Sequence, residues 1–187
     1  MFIQTESTPN PATLKFLPGR EVLGDAAVAD FPDRESGERS PLARALFAID
    51  DVARVFFGSD FISVTKTESS DWKHLKPSIL GAIMEHFTRE LPLMEGGAEE
   101  AEEESYSGDD AEIVSQIKEL IETRVRPAVA GDGGDIIFKA FDSASGVVSL
   151  HMRGSCAGCP SSTATLKHGI ENMLRHYIPE VNAVEAV

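Results

Sequence analysis

The sequence is poor in cysteine, with only two among its 187 residues. A small secreted domain stapled by disulfides needs more, so that class is excluded. Long apolar runs are also missing, since no segment reaches the roughly 18 consecutive apolar residues that span a bilayer. The first residues, Met1 to Glu6, show neither the layout of a secretory signal nor that of a transit peptide. These absences predict a cytoplasmic protein with no membrane partner.

Positive charge is scarce as well. Seventeen Lys and Arg stand against 31 Asp and Glu, which gives a formal net charge of −14 at pH 7. A general nucleic-acid binder needs a basic footprint to displace counterions from phosphates. The sequence therefore predicts no nucleic-acid partner.

Residues 95–109 are predicted to form a flexible acidic linker. Residues 95–112 hold nine acidic side chains and no Lys or Arg. Like charges repel, Gly and Ser add backbone freedom, and almost nothing in the segment can be buried. A docking site for a basic partner is the alternative interpretation. The linker separates two domains, residues 1–94 and residues 110–187.

The pattern of residues 1–94 predicts a small α+β domain. Ser40 followed by Pro41 is a typical helix start, and Gly58-Ser59-Asp60 is a typical hairpin turn. The domain shows no catalytic constellation, which favours a protein that is not an enzyme. The predicted elements are strands 2–5 and 13–17, a helix from Pro41, a hairpin of strands 52–57 and 61–65, and a helix after Asp71.

Residues 110–187 have a more regular pattern. Asp110 is predicted to cap a helix that Pro127 ends, and a helix with one apolar face is predicted to begin at Pro160. Strands are predicted at 135–141 and 147–152, with a weaker edge strand at 181–186. The order is α-β-β-α-β, a three-stranded sheet packed by two helices. The fold class of the chain is therefore α+β, with two small domains.

Both cysteines lie in one C-x-x-C motif, Cys156 and Cys159, between the end of a strand and the start of a helix. Unpaired N–H groups and the positive end of the helix dipole point toward such a place. The location is expected to favour the thiolate, which is the form that binds metal or attacks a disulfide.

Two cysteines do not complete a tetrahedral site for zinc or for an iron–sulfur cluster, which needs four ligands. The nearest histidines, His151 and His168, are interpreted as surface residues. Two chains that each contribute Cys156 and Cys159 would complete a site across a dimer axis. A thioredoxin-like redox dithiol is the alternative from another class, but it needs a βαβ unit where this sequence predicts a hairpin.

The glycines of residues 131–134 do not match a nucleotide-binding motif, because neither the P-loop spacing nor G-x-G-x-x-G after a strand is present. A backbone role is favoured. Gly133 and Gly134 are expected to let the chain reverse tightly between a helix and a strand.

The motifs RP at 126–127, GDGGDI at 131–136 and GSCAGCPSSTATL at 154–166 closely resemble the C-terminal domain of NifU-type proteins. FIQTE at 2–6, PNP at 9–11, LKF at 14–16, RVFFG at 54–58 and the run 72–85 resemble the N-terminal domain of the Nfu branch. The resemblance covers both domains and leaves only the acidic linker unmatched.

This resemblance implies an iron–sulfur cluster scaffold or carrier. Such a protein assembles a [4Fe–4S] cluster between two subunits and delivers it to apo client proteins, downstream of cluster-assembly machinery. Cys156 and Cys159 match the cluster-ligating pair of the family, and no other residue carries a chemical role over. The alternatives that stay open are a dithiol redox protein and a dimer with a structural zinc site. Since the chain starts directly at the domain, a bacterial, cytoplasmic member is expected.

Overall fold

The computed structural model describes residues 1–24, 27–96, 105–158 and 160–187. The chain divides into two compact units, Met1–Glu99 and Glu100–Val187. Most of the predicted linker, residues 97–104, lies outside the described residues.

The first unit is built on a five-stranded antiparallel sheet in the order β1-β2-β5-β4-β3. Phenylalanines and branched aliphatic residues from the sheet and helices form its core. Its elements are β1 Gln4–Ser7, β2 Thr13–Leu17, β3 Ala29–Phe31, α1 Arg34–Gly37, α2 Pro41–Phe47, β4 Val52–Phe57, β5 Ile62–Lys66 and α3 Trp72–Thr88.

The helix starts of this unit agree with the sequence. The Ser40 hydroxyl accepts a hydrogen bond of 3.1 Å from the Ala43 N–H at the start of α2. The Asp71 carboxylate accepts one of 2.9 Å from the Lys73 N–H at the start of α3. Both contacts satisfy N–H groups that have no partner within their helix.

Two short elements, β3 and α1, were not predicted. Strand β3 has three residues, too few to show an alternating pattern. It pairs with β4, and the Arg54 guanidinium of β4 donates two hydrogen bonds to the Asp30 carboxylate of β3. This contact joins residues far apart in sequence, so local periodicity does not reveal it.

One buried titratable side chain of this unit is His86 in α3. It is only 3% exposed, and its ring lies edge-on to Phe87 at 5.4 Å between centroids. Within the described part of the chain, its Nε2 atom has no hydrogen-bond partner. Burial lowers the pKa of His86 from its ordinary value of 6.5, although a hydrogen bond with the Leu91 backbone opposes the shift.

We expect the first unit to lose stability as the pH falls below about 6.5. The unfolded chain binds a proton at His86 more readily than the folded chain, so acid favours unfolding. The contribution is present above 6.5 and is lost as the pH falls toward the lowered pKa. The single tryptophan, Trp72, packs against the core of this unit, so its fluorescence during urea unfolding measures the effect.

The matched pair of variants is His86→Leu and His74→Leu, because His74 lies exposed on the same helix. His86→Leu should flatten the dependence of unfolding free energy on pH between about 5 and 7, whereas His74→Leu should leave it unchanged. An unchanged slope in His86→Leu would contradict the assignment.

The second unit has the predicted order α-β-β-α-β. Strands β6 and β7 are antiparallel neighbours, and β8 pairs with β7 in parallel. Its elements are α4 Asp109–Leu120, a π-helical segment Ile121–Val125, α5 Arg126–Gly131, β6 Gly134–Asp142, β7 Val147–Gly154, α6 Pro160–Tyr177 and β8 Ala183–Ala186. The α+β class with two small domains is confirmed.

Two predicted helix ends in this unit are wrong. Helix α4 begins at Asp109 after Gly108, with no side-chain cap, so Asp110 lies inside the first turn. Pro127 does not end the helix, because a π-helical segment precedes it and the Arg126 N–H bonds to the carbonyl of Ile121, five residues back. The wider turn accommodates a ring that would clash in a regular α-helix.

Buried apolar side chains of β6, β7 and β8 face those of the helices to form a second core. Along β7, Val148, Leu150 and Met152 are buried, and the residues that alternate with them are half-buried. Among the described residues, no helix is both long and apolar enough to cross a bilayer.

Candidate metal centre

Cys156 lies two residues after β7 ends at Gly154 and four residues before α6 begins at Pro160. The predicted place of the motif, between a strand end and a helix start, is therefore confirmed for this cysteine. Cys159 lies outside the described residues.

The segment that carries Cys156 is held by the loop between α5 and β6. The Ser155 N–H donates to the carbonyl of Gly133 at 3.2 Å, and the Ser155 hydroxyl donates to the carbonyl of Asp132 at 2.5 Å. From the other side, the Thr163 hydroxyl of α6 donates to the Cys156 carbonyl at 3.0 Å. Two segments, the loop before β6 and helix α6, thus fix the backbone on both sides of the cysteine.

The Cys156 side chain belongs to the core of the second unit. The residue is 6% exposed. Burial raises the pKa of the thiol to about 12; the Ser155 hydroxyl opposes the shift, and the Asp132 and Asp135 carboxylates add to it. The expectation that this location favours the thiolate is wrong, because burial raises the pKa of the thiol instead of lowering it.

Asp135, the second residue of β6, is a buried acidic residue beside the cysteine. It is 3% exposed and accepts hydrogen bonds of 2.8 Å and 3.3 Å from Nε and Nη2 of Arg126. Nη1 of Arg126 also donates to the exposed Glu122 carboxylate at 2.8 Å. Burial opposes the charge of Arg126, but these hydrogen bonds raise its pKa overall. The pair fixes the start of β6.

The histidines do not join the cysteine. His168 is exposed on α6, and Nδ1 of His151 lies 3.0 Å from the C-terminal carbonyl of Val187. Across the described ranges, no group of three or more His, Cys, Asp or Glu side chains could hold a metal ion. The predicted surface position is confirmed for His168, whereas His151 is half-buried on β7.

The glycines around the site have different roles. Gly133 and Gly154 have φ angles of 82° and 61°, a region that side chains disfavour. Gly134 is paired with Gly154 in the sheet instead, and it lies directly against Cys156. The predicted backbone role of residues 131–134 thus holds at Gly133, while the contact made by Gly134 was not foreseen.

Two family descriptions match this chain. Residues 3–90 match "Scaffold protein Nfu/NifU N terminal", and residues 117–185 match "NifU-like domain". NifU-like protein 5, mitochondrial, of Arabidopsis thaliana is 52% identical over 186 residues, which are 99% of this chain and 67% of that protein.

The chain belongs to the NifU-like scaffold family. The predicted membership is thereby confirmed, and the first family description names scaffold proteins.

Three further proteins are similar to this NifU-like chain. NifU-like protein 4, mitochondrial, of Arabidopsis thaliana is 53% identical over 99% of this chain. The NFU1 iron-sulfur cluster scaffold homolog, mitochondrial, of Drosophila willistoni is 51% identical over the whole chain. The chain spans 65% and 64% of the lengths of these two proteins. A NifU-like protein from Saccharomyces cerevisiae, solved by NMR, aligns with 52% of this chain and 87% of its own at 25% identity and a TM-score of 0.45.

The expected cytoplasmic location is wrong. All three curated relatives are named mitochondrial, which points to that compartment. The expectation depended on the absence of a leader. Because this NifU-like chain spans only about two thirds of its relatives, its first residues give no information about one.

The ion pair between Arg126 and Asp135 was not predicted from the sequence. One signal was available. Asp135 is the first residue of the predicted strand 135–141, and a charge at such a position needs a partner when the strand is buried. The sequence alone does not identify that partner, because the pairing depends on the path of α5.

Proposed function

We propose that this chain is an iron–sulfur cluster scaffold and carrier. Cys156 and Cys159 of two subunits would bind one [4Fe–4S] cluster between them, and the cluster would then pass to apo client proteins. Membership in a scaffold family supports the role, and a relative 51% identical is named an iron-sulfur cluster scaffold homolog. The observation that carries the proposal is a C-x-x-C between strand and helix in a chain with no other cysteine.

The need for a second subunit follows from the ligand count. A [4Fe–4S] cluster takes four thiolates, and one chain supplies two. The described residues supply no cluster of further metal-binding side chains. A two-fold axis beside the motif would bring together two sulfurs from each of two identical subunits, which gives the four that the cluster needs.

Loading would change the state of Cys156. In the free chain its sulfur is buried and burial raises the pKa of its thiol, whereas an iron ligand must be deprotonated and face the partner. Formation of the site therefore requires the segment 155–158 to release the sulfur from the core. Iron then replaces the thiol proton, which leaves to solvent.

Transfer to a client is a ligand exchange. A client cysteine loses its proton, its sulfur bonds to iron, and the sulfur of Cys156 or Cys159 leaves and takes up a proton. No electron moves, so the step needs neither oxidant nor reductant. A return of Cys156 to its buried position would favour release.

Residues 110–187 would carry the cluster, residues 95–109 would act as a tether, and residues 1–94 would support the dimer or the clients. Upstream cluster-assembly proteins and apo iron–sulfur clients would be its partners. The dimer would form when the cluster binds.

Anaerobic reconstitution with iron and sulfide tests the proposal, because it fixes metal, stoichiometry and oligomeric state together. We expect a brown dimer with about four irons per pair of chains. A colourless dimer with one zinc would instead support a structural zinc site. A monomer that cycles between dithiol and disulfide would support the redox class, which the buried Cys156 and the antiparallel hairpin β6–β7 before it disfavour.

A further inference from the structure

Gly134 in β6 lies where the sulfur of Cys156 rests. A methyl group built on its Cα would lie 2.5 Å from Sγ of Cys156, 2.8 Å from the carbonyl oxygen of Arg153 and 3.0 Å from the backbone nitrogen of Cys156. These separations are far below van der Waals contact. The φ angle of Gly134 is not positive, so the residue is glycine for space and not for backbone conformation.

Hydrogen bonds keep the cysteine in register with this glycine. Ser155 donates to the carbonyls of Asp132 and Gly133, and Gly134 pairs with Gly154 across the sheet. Neither strand carries a side chain at this pair. The sulfur occupies the space that results.

We propose that Gly134 is the positioning residue for Cys156. Because Gly134 has no side chain, it leaves a space, the seat, that holds the sulfur in the free chain. The seat also determines how deeply residues 155–158 lie, and from there the sulfur reaches the cluster. This inference rests on the proposed function, because it concerns the same sulfur as a cluster ligand.

Gly134→Ala is the informative variant and Gly131→Ala is its matched control. Alanine at 134 must displace both a sulfur and backbone atoms of the facing strand. Three residues earlier, a Cβ on Gly131 would meet no atom within 4 Å, and its φ is also not positive. The two variants make the same chemical change, at the end of α5 and at the start of β6, and only the one at Gly134 contacts Cys156 and the Arg153 carbonyl.

The first measurement uses the chain without metal. In a Cys159→Ser background, Cys156 is the single thiol, and its alkylation rate at one fixed pH reports how accessible the sulfur is. Gly134→Ala should raise that rate by about tenfold, because the sulfur leaves a protected position. Gly131→Ala should leave it unchanged.

The second measurement separates a contact with sulfur from a general loss of stability. Gly134→Ala should lower the thermal midpoint of the second unit, and Cys156→Ala should reduce that loss, because one of the clashing atoms is gone. Equal losses in both backgrounds, together with an unchanged alkylation rate, would overturn the inference.

The third measurement is reconstitution with Cys159 restored, scored as iron per folded dimer. Gly134→Ala should load severalfold less iron than Gly131→Ala. Equal loading and equal visible spectra in the two variants would overturn the positioning role. If the unsubstituted chain loads no cluster, the proposed function fails, and the alkylation and stability results still decide whether Gly134 seats the sulfur.

Discussion

Exchange of sulfur for oxygen at Cys156 or Cys159 is expected to abolish cluster loading while the chain stays folded. A serine hydroxyl is a poor iron ligand, and either change leaves a dimer with two of the four thiolates that the cluster needs. The iron content of the reconstituted variants should fall to background. Size-exclusion chromatography should then show no cluster-dependent dimer.

The structure adds an expectation for stability at Cys156. Because this side chain is part of the core, the serine hydroxyl of Cys156→Ser is removed from water. If it gains no hydrogen bond within the core, this costs about 1–3 kcal/mol. Cys156→Ala avoids the buried hydroxyl and should retain more stability, yet it should load no cluster either. Circular dichroism separates loss of fold from loss of ligand.

The histidines supply the control for the ligand set. His151→Ala and His168→Ala should load iron like the parent, since His168 is exposed, His151 lies at the Val187 carbonyl, and no metal-binding group among the described residues includes either. Loss of loading in either histidine variant would contradict an all-cysteine site. Full loading in Cys156→Ser would contradict the proposal itself.

Much of the fold was predictable because its signals are local. The helix starts at Pro41, Trp72 and Pro160 follow from capping residues and from proline in the first turn. The order α-β-β-α-β follows from apolar periodicity. Strand β3 and the π-helical segment were missed, because one depends on pairing with a distant strand and the other on how packing accommodates Pro127.

The site was predictable in its location and not in its environment. The spacing of C-x-x-C and the proline after it place Cys156 between a strand and a helix, where it lies. Its burial depends on Gly134 and on the loop before it, which a different part of the chain supplies. The expected thiolate was wrong for this reason: desolvation is a property of the packed structure.

Removal of the Arg126 guanidinium is expected to destabilise the second unit strongly, because it leaves the buried Asp135 carboxylate unpaired. Arg126→Met keeps the length of the side chain but leaves the Asp135 carboxylate, 3% exposed, without its guanidinium partner. Removal of one partner of a buried pair costs about 3–5 kcal/mol. Because the single tryptophan lies in the first unit, hydrogen exchange of the β6 and β7 amides is the appropriate measurement.

A double-mutant cycle and one control variant show which partner of Arg126 accounts for the loss of stability. Arg126→Met with Asp135→Asn should be more stable than Arg126→Met alone, since no buried charge is then left unpaired. Glu122→Gln removes only the exposed partner of Arg126 and should cost about 0.5 kcal/mol or less. If Glu122→Gln costs as much as Arg126→Met, the energy lies in the surface pair and not at Asp135. Since Asp135 directly follows Gly134, loss of the pair should also loosen the seat of Cys156 and raise its alkylation rate in the single-thiol background.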